Sequence, residues 1–442
     1  MIKTARLFFF CLAVLPLFGQ NGFVLEKDLK KVGIPFKFIN NLIFIPLKVN
    51  SVELNFLLDS GVEETILFSM DDKQNVNFNN VEKITLKGLG SSESIEGLKS
   101  TNNILETHGL KLMNHILYIV LDQKFNISSH VGIPVNGIIG SNFFKNNLIE
   151  INYIRKKIFV YAPNNENRIK IEKKFVEVPI TIEKSKPYVE GNVFIDNNNI
   201  PVKLLIDIGN SDAVWLFQNA IKKIEPPSKN FDDFLGQGFS GEVYGKRALI
   251  SKFSISNFEF NNPIVAFPDS SSTKNVKMAV NRSGSIGSEI LRRFTIVFDY
   301  SNRVMYLKKN NNYNYPFNYN KSGIEIQHNG YQWVNETIRL ENTVVNQRNL
   351  EKQNDVFSND FKYKLELKPV YIISNIRKNS QADTIGLKKE DVIISINGMS
   401  AYQYSLNRIN LLLRPEEDKW LYIEVDRAGI TLVFKLFIQN EL

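Results

Sequence analysis

Two short segments of this chain carry the residue types for acid–base chemistry. Asp59-Ser60-Gly61 and Asp207-Ile208-Gly209 each place a carboxylate two residues ahead of a glycine, behind an apolar run (Phe56-Leu57-Leu58 and Leu204-Leu205-Ile206). Such a run reads as a buried strand, and a glycine just beyond it permits a tight turn whose amides face the carboxylate. Two carboxylates brought together at such turns would share one proton, because like charges a few Å apart cannot both ionise cheaply. The ionised member can take a proton from water while the protonated member polarises a carbonyl. That is the chemistry of amide hydrolysis by direct water attack. It calls for no metal, no cofactor and no covalent intermediate.

The elements that must position the two aspartates occur twice. "IFIPLKVNSVELNFLLDSGVEETILF" opens one half and "PYVEGNVFIDNNNIPVKLLIDIGNSDAVWLF" opens the next. Both are a strand, a polar turn, a strand and then Asp-x-Gly. Matching units also close the halves: "VNGIIGSNFFKNNLIEINYIRKKIFVY" and "SGSIGSEILRRFTIVFDYSNRVMYL". Each reads Gly-x-Ile-Gly-Ser, a short helix, a strand, a turn and a strand. Two motifs recurring in the same order mark a duplication. The halves span residues 24–165 and 166–310, and the loops Gly137–Gly140 and Gly284–Gly287 are expected to close each lobe around its aspartate strand. Short β-rich runs separated by Asn, Gly and Asp fill both halves and predict an all-β body.

Two Asp-x-Gly turns with their Gly-x-Ile-Gly partners resemble the retropepsin-like and pepsin-like aspartic peptidases, over about two-thirds of the chain. The resemblance implies a bilobal, double-ψ acid-protease fold with both lobes in one chain, so that a monomer suffices for catalysis. It implies an endopeptidase acting on a peptide or protein substrate through a dyad of Asp59 and Asp207, on turns shaped by Gly61 and Gly209. The family's usual Thr or Ser after the aspartate braces the opposite turn. Ser60 retains that hydroxyl and Ile208 lacks it. Asn210 follows Gly209, and its amide is expected to reach the outer oxygen of Asp207, whereas Val62 at the equivalent place can only pack. Hairpin flaps over the cleft are expected around Gly88 and Gly90 and around Gly236 and Gly238.

Residues 311–355 are rich in Asn, Tyr and Gln and read as a linker; residues 356–442 read as a small α+β domain. "PVYIISNIRKNSQADTIGLKKEDVIISING" resembles bacterial PDZ domains, matching at Ser380, Ala382, Gly386, Leu387, Asp391, Ile393, Asn397 and Gly398. Gln381 and Glu390 depart from the pattern. The resemblance implies a groove between the strand Tyr371, Ile372, Ile373 and the helix Leu406–Leu413, where a peptide C-terminus would add as a strand. Pro369 in the expected carboxylate loop removes one amide donor.

Lys3 and Arg6 precede the apolar run Leu7–Phe18, which reads as a secretory signal peptide ending near residue 20. The protein is therefore expected to be exported, to the periplasm or beyond, with no transmembrane segment in the mature chain. The single cysteine, Cys11, lies in that run, so no disulfide or thiol chemistry is expected after cleavage. The formal charge of +8 is scattered, without the basic–aromatic runs of nucleic-acid binding. The four histidines show no metal-ligand spacing. Gly236-x-Gly238-x-x-Gly241 fits a phosphate loop, but no lysine strand or strand–turn–helix unit accompanies it. The rival to the enzyme is a non-catalytic peptide-binding or scaffolding protein with the same cleft; Ile208 motivates it.

Overall fold

The computed structural model describes residues 22–68, 75–86, 95–121, 126–196, 198–238, 241–273, 278–339 and 361–442. The expected signal peptide, the expected flap residues Gly88 and Gly90, and the expected linker beyond residue 339 lie outside the described residues. Strands dominate and fall into four sheets. Among the described residues no helix is long and apolar enough to cross a membrane.

In the first half, Leu42–Val49 and Val52–Leu58 form a hairpin turning at Asn50 and Ser51, both with positive φ. Gly137–Ile139 then returns to lie parallel to Phe56–Leu58 and antiparallel to Thr65–Leu67. The second half repeats the pattern. Lys186–Ile195 pairs with Asn198–Ile206, and Arg282–Ile286 runs parallel to the end of that strand and antiparallel to Val214–Leu216. In both halves the chain just after the aspartate crosses under a strand that returns from far along the sequence. Gly137 and Gly284 sit within these crossings. A methyl group on either would overlap a main-chain carbonyl oxygen, that of Ile66 or Trp215.

A six-stranded sheet joins the halves. At its centre Leu148–Asn152 lies antiparallel to Phe294–Asp299, with Ile149 opposite Phe298 and Ile151 opposite Ile296. These two strands are the duplicated copies of one element, so their pairing is what a local two-fold would produce. One apolar core runs through both halves and this sheet, with Phe143, Phe144, Phe294 and Phe298 fully buried.

A separate core, built from residues such as Ile324, Ile373, Ile409, Leu421 and Leu436, holds the C-terminal sheet. This sheet corrects two expectations. Ile324–Arg339, assigned to the linker, is a sixteen-residue strand paired with Phe361–Ile376. The C-terminal sheet therefore includes residues ahead of the expected boundary at 356. Among its residues with described side chains, Ile324 and Ile326 turn into the core; further along, Gln327, Gln332 and Asn335 break the apolar alternation, and main-chain bonds to the partner hold the strand. Second, Tyr371, Ile372 and Ile373 do not form an open groove edge. They pair with His328, Gln327 and Ile326 on one side. On the other, Ile372 pairs with Val392, the Ile373 amide donates to Asp391 O (3.0 Å) and Glu390 donates to Ile373 O (2.9 Å). A strand with both edges bonded cannot accept a peptide.

The glycine crossings make a direct prediction. Gly137→Ala and Gly284→Ala should each cost roughly 2–4 kcal/mol in thermal unfolding, because main chain must shift to admit the methyl. Gly33→Ala, whose methyl would meet only Phe159 ring carbons at 3.5 Å, should be neutral or slightly stabilising.

Candidate functional site

Each aspartate is pinned by the returning segment of its own half: the Asp59 amide donates to Ile139 O (3.0 Å) and the Asp207 amide to Ile286 O (2.9 Å). The carboxylates then meet across the halves. Gly61 N–H donates to Asp59 Oδ1 at 2.7 Å, and the bare α-carbon of Gly61 faces Asp207: a Cβ there would lie 2.9 Å from Asp207 Oδ1. On the other side a Cβ on Gly209 would overlap the Asp59 carboxylate. The two carboxyl groups also hydrogen-bond each other. Glycine is thus needed at both positions for the pair to come this close.

Ser60 ties the turns together. Its buried hydroxyl donates to Ile206 O (2.6 Å) and accepts from the Ile208 amide (3.0 Å). Ile208 has no hydroxyl to return the pair; its side chain is fully buried in the main core. The brace therefore exists on one side only.

The serine that ends each Gly-x-Ile-Gly-Ser motif also locks onto a turn. Ser141 N donates to Val62 O (2.9 Å), Ser288 N to Asn210 O (2.7 Å), and Ser288 Oγ to Ile208 O (2.9 Å). The motif matched these serines without revealing that role. Asn210 supports its turn differently from expectation. Its amide donates to Ser285 Oγ (3.2 Å) and its carbonyl accepts the Asp212 amide (3.0 Å), so the amide is directed to Ser285 and not to the outer oxygen of Asp207.

Burial is the main reason both carboxyls hold protons above the ordinary aspartate range. The charge of Asp207 adds to it at Asp59; at Asp207 the opposing field of the Arg282 guanidinium, and then of Lys186, partly offsets it. Arg282 donates to Gly284 O (2.9 Å) and lies 5.1 Å from the Phe217 ring centre. Nothing local in the sequence marked it, because its neighbour Asp207 is distant along the chain. The pair is asymmetric: Lys186 favours ionisation at both aspartates, whereas Arg282 acts at Asp207.

Hairpins rise from both halves. In the first half, Glu82–Leu86 pairs with Ile95–Lys99. In the second half, Asn230–Gly238 pairs with Gly241–Leu249, with a bulge between Phe234 and Gly236. Gly236 has φ of 146°, and a Cβ there would touch nothing. Trp215 packs beneath this hairpin with Leu235, Val243 and Ala266, and its indole donates to Asp212 Oδ2 at 2.7 Å.

In comparison with known proteins, no family model matches the chain and no curated protein matches it.

The brace and the dyad each predict a stability change. Ser60→Ala should cost roughly 1–3 kcal/mol, since it strands a buried carbonyl and a buried amide; Ile208→Thr, which trades buried apolar packing for a hydroxyl, should cost roughly 1–3 kcal/mol as well. Both are read by denaturant unfolding. For the dyad, the native state binds more protons than the unfolded chain between the ordinary aspartate pKa and the raised one, so stability falls as pH rises across that window. Asp59→Asn removes the repulsion and should stabilise the protein by roughly 1–3 kcal/mol near pH 7, with the gain shrinking toward about pH 4. A gain that does not vary with pH would show that the pair is not coupled in this way.

Proposed function

We propose that this chain is an aspartic-type endopeptidase with a pepsin- or retropepsin-like double-ψ body. The observation that carries the reading is the carboxylate pair assembled across two duplicated halves, each member abutting the other half's glycine. A body with a hairpin in each half corresponds to a fused two-flap dimer more than to a single-flap enzyme. Its substrate would be an extended peptide lying over the pair and under the hairpins.

The residues divide the work as follows. Asp207, with Arg282 and Lys186 favouring its ionised form, takes a proton from a water held between the carboxylates. The oxygen of that water attacks the scissile carbonyl carbon while protonated Asp59 donates to the carbonyl oxygen. The tetrahedral intermediate collapses when the C–N bond breaks and the amine leaves with a proton from Asp207. Asp59 recovers its proton from the intermediate's hydroxyl as the new carboxyl forms, which returns the dyad to its starting state.

The C-terminal unit is read as PDZ-like. Two observations support the reading: Ser380 caps the helix Gln381–Thr384, and Asp391 pairs with Arg427 (2.7 Å). Among the described residues the outer strand beside helix Leu406–Leu412 is Ile324–Arg339, and the first-half helix Ile127–Val131 packs against it, so a peptide C-terminus would enter there only by displacing that helix. Export to the periplasm or outside the cell suits such an enzyme. Ile208 favours a second reading, a peptide-binding protein whose dyad is too loosely braced to turn over.

Hydrolysis of a mixed peptide library from about pH 3 to 8 tests the proposal. Activity should fall as pH rises through the raised dyad pKa, and Asp59→Asn and Asp207→Asn should each reduce it by at least about a thousandfold. Folded parent protein that cleaves nothing, or cleavage surviving either substitution, would leave the binding-protein reading.

A further inference from the structure

The second catalytic turn is tied to the C-terminal unit by a continuous chain of charged side chains. Asp212, five residues after Asp207, receives the Trp215 indole and also Arg247 Nη1 at 2.9 Å. Arg247 stands on the second-half hairpin and reaches Asp233 on the facing strand, Nε to Oδ2 at 2.6 Å. The other oxygen of Asp233 faces Arg377 of the C-terminal unit at 3.8 Å. The Arg377 side chain is 2% exposed; it also donates to the carbonyl of Asn320 (3.3 Å) and to Glu441 (3.3 Å), and lies 4.2 Å from the Phe231 ring centre.

Other contacts hold the same two bodies together. Asn375 donates to the Tyr244 hydroxyl at 2.8 Å, a second link to the hairpin. Asn410 reaches Asn40 (3.4 Å), and Leu406 fills the space beside Gly132, so the C-terminal unit touches both halves. Ions this buried hold one geometry strongly, because a partner withdrawn leaves a charge uncompensated in a poorly solvated place. Asp212 is directly continuous with the site: its carbonyl accepts the Glu289 amide (3.2 Å), and its amide is held by Asn210.

We propose that Asp212 and Arg247 are positioning residues for the Asp207 turn, and that the docked C-terminal unit holds them in register through Arg377. The inference rests on the peptidase reading for its consequence, control of dyad alignment by docking, but the coupling itself is a property of the fold. A ligand that pulled the C-terminal unit away would slacken the turn and the hairpin together. A merely adhesive interface would transmit nothing beyond the hairpin base.

Amide hydrogen exchange on the full chain separates the two. Arg377→Gln is expected to speed exchange about tenfold in residues 207–216 and 230–249, in the range of ordinary coupling between sites, while residues 148–161 stay unchanged. Asp233→Asn approaches the same link from the hairpin and should give the same pattern if Arg377→Gln fails to fold. The double variant Arg247→Gln with Arg377→Gln should exchange little faster than Arg247→Gln alone, since both act through one chain. With a cleavable peptide, kcat should fall more than KM rises, and Arg377→Lys should restore part of it. Faster exchange confined to residues 318–326 and 374–380, or additive effects in the double variant, would overturn the proposal. Exchange is read without turnover, so a parent that cleaves no peptide would sink the peptidase reading and leave this test intact.

Discussion

A buried pair of aspartates is the least favourable feature of this protein, and the rest of the body is arranged around keeping it. Desolvation and mutual repulsion both work against two carboxyls in contact. They are held there by main chain: each turn hangs from a returning strand, and each glycine offers a bare α-carbon to the opposite carboxylate. Side chains alone would relax away from such a contact. Turns anchored in two sheets and welded by a third cannot relax without breaking the apolar core that runs through all of them.

The duplication is preserved where backbone geometry demands it and has diverged elsewhere. The glycine crossings, the strand after each helix and the paired central strands are common to both halves. The brace is not: Ser60 supplies two bonds and Ile208 supplies packing. Charge has diverged too, with Arg282 beside Asp207 in the second half. A symmetric dyad has no reason to prefer a proton on one side; the field of Arg282 at Asp207 removes that symmetry.

The second half also carries the load of the C-terminal unit. Its hairpin, itself clamped by Arg247 and Asp233, meets two other parts of the chain: the Asp207 turn through Asp212, and the C-terminal unit through Arg377 and Asn375. Charged groups buried this far contribute little net stability, but they are costly to leave unpaired, so they specify one docking geometry in preference to others.

What the sequence determined by itself was everything governed by local rules. Apolar runs ending in Asp-x-Gly, and glycines spaced for close crossings, are written within a few residues of one another, and the duplication made each motif corroborate its twin. The dyad, its glycines and the Ser60 brace were legible for that reason, as was the all-β character of the body. Tertiary structure alone decided the features whose partners lie far along the chain. Ile324–Arg339 became a strand because Phe361–Ile376 offered it a hydrogen-bonding edge, which its polar alternation did not announce. That same pairing consumed the edge at Tyr371–Ile373. Asn210 turned to Ser285, Arg282 came beside Asp207, and Arg377 met Asp233, because long-range packing brought them together. Sequence pattern records which side chains a segment buries; which distant group lies opposite is set only when the sheets close.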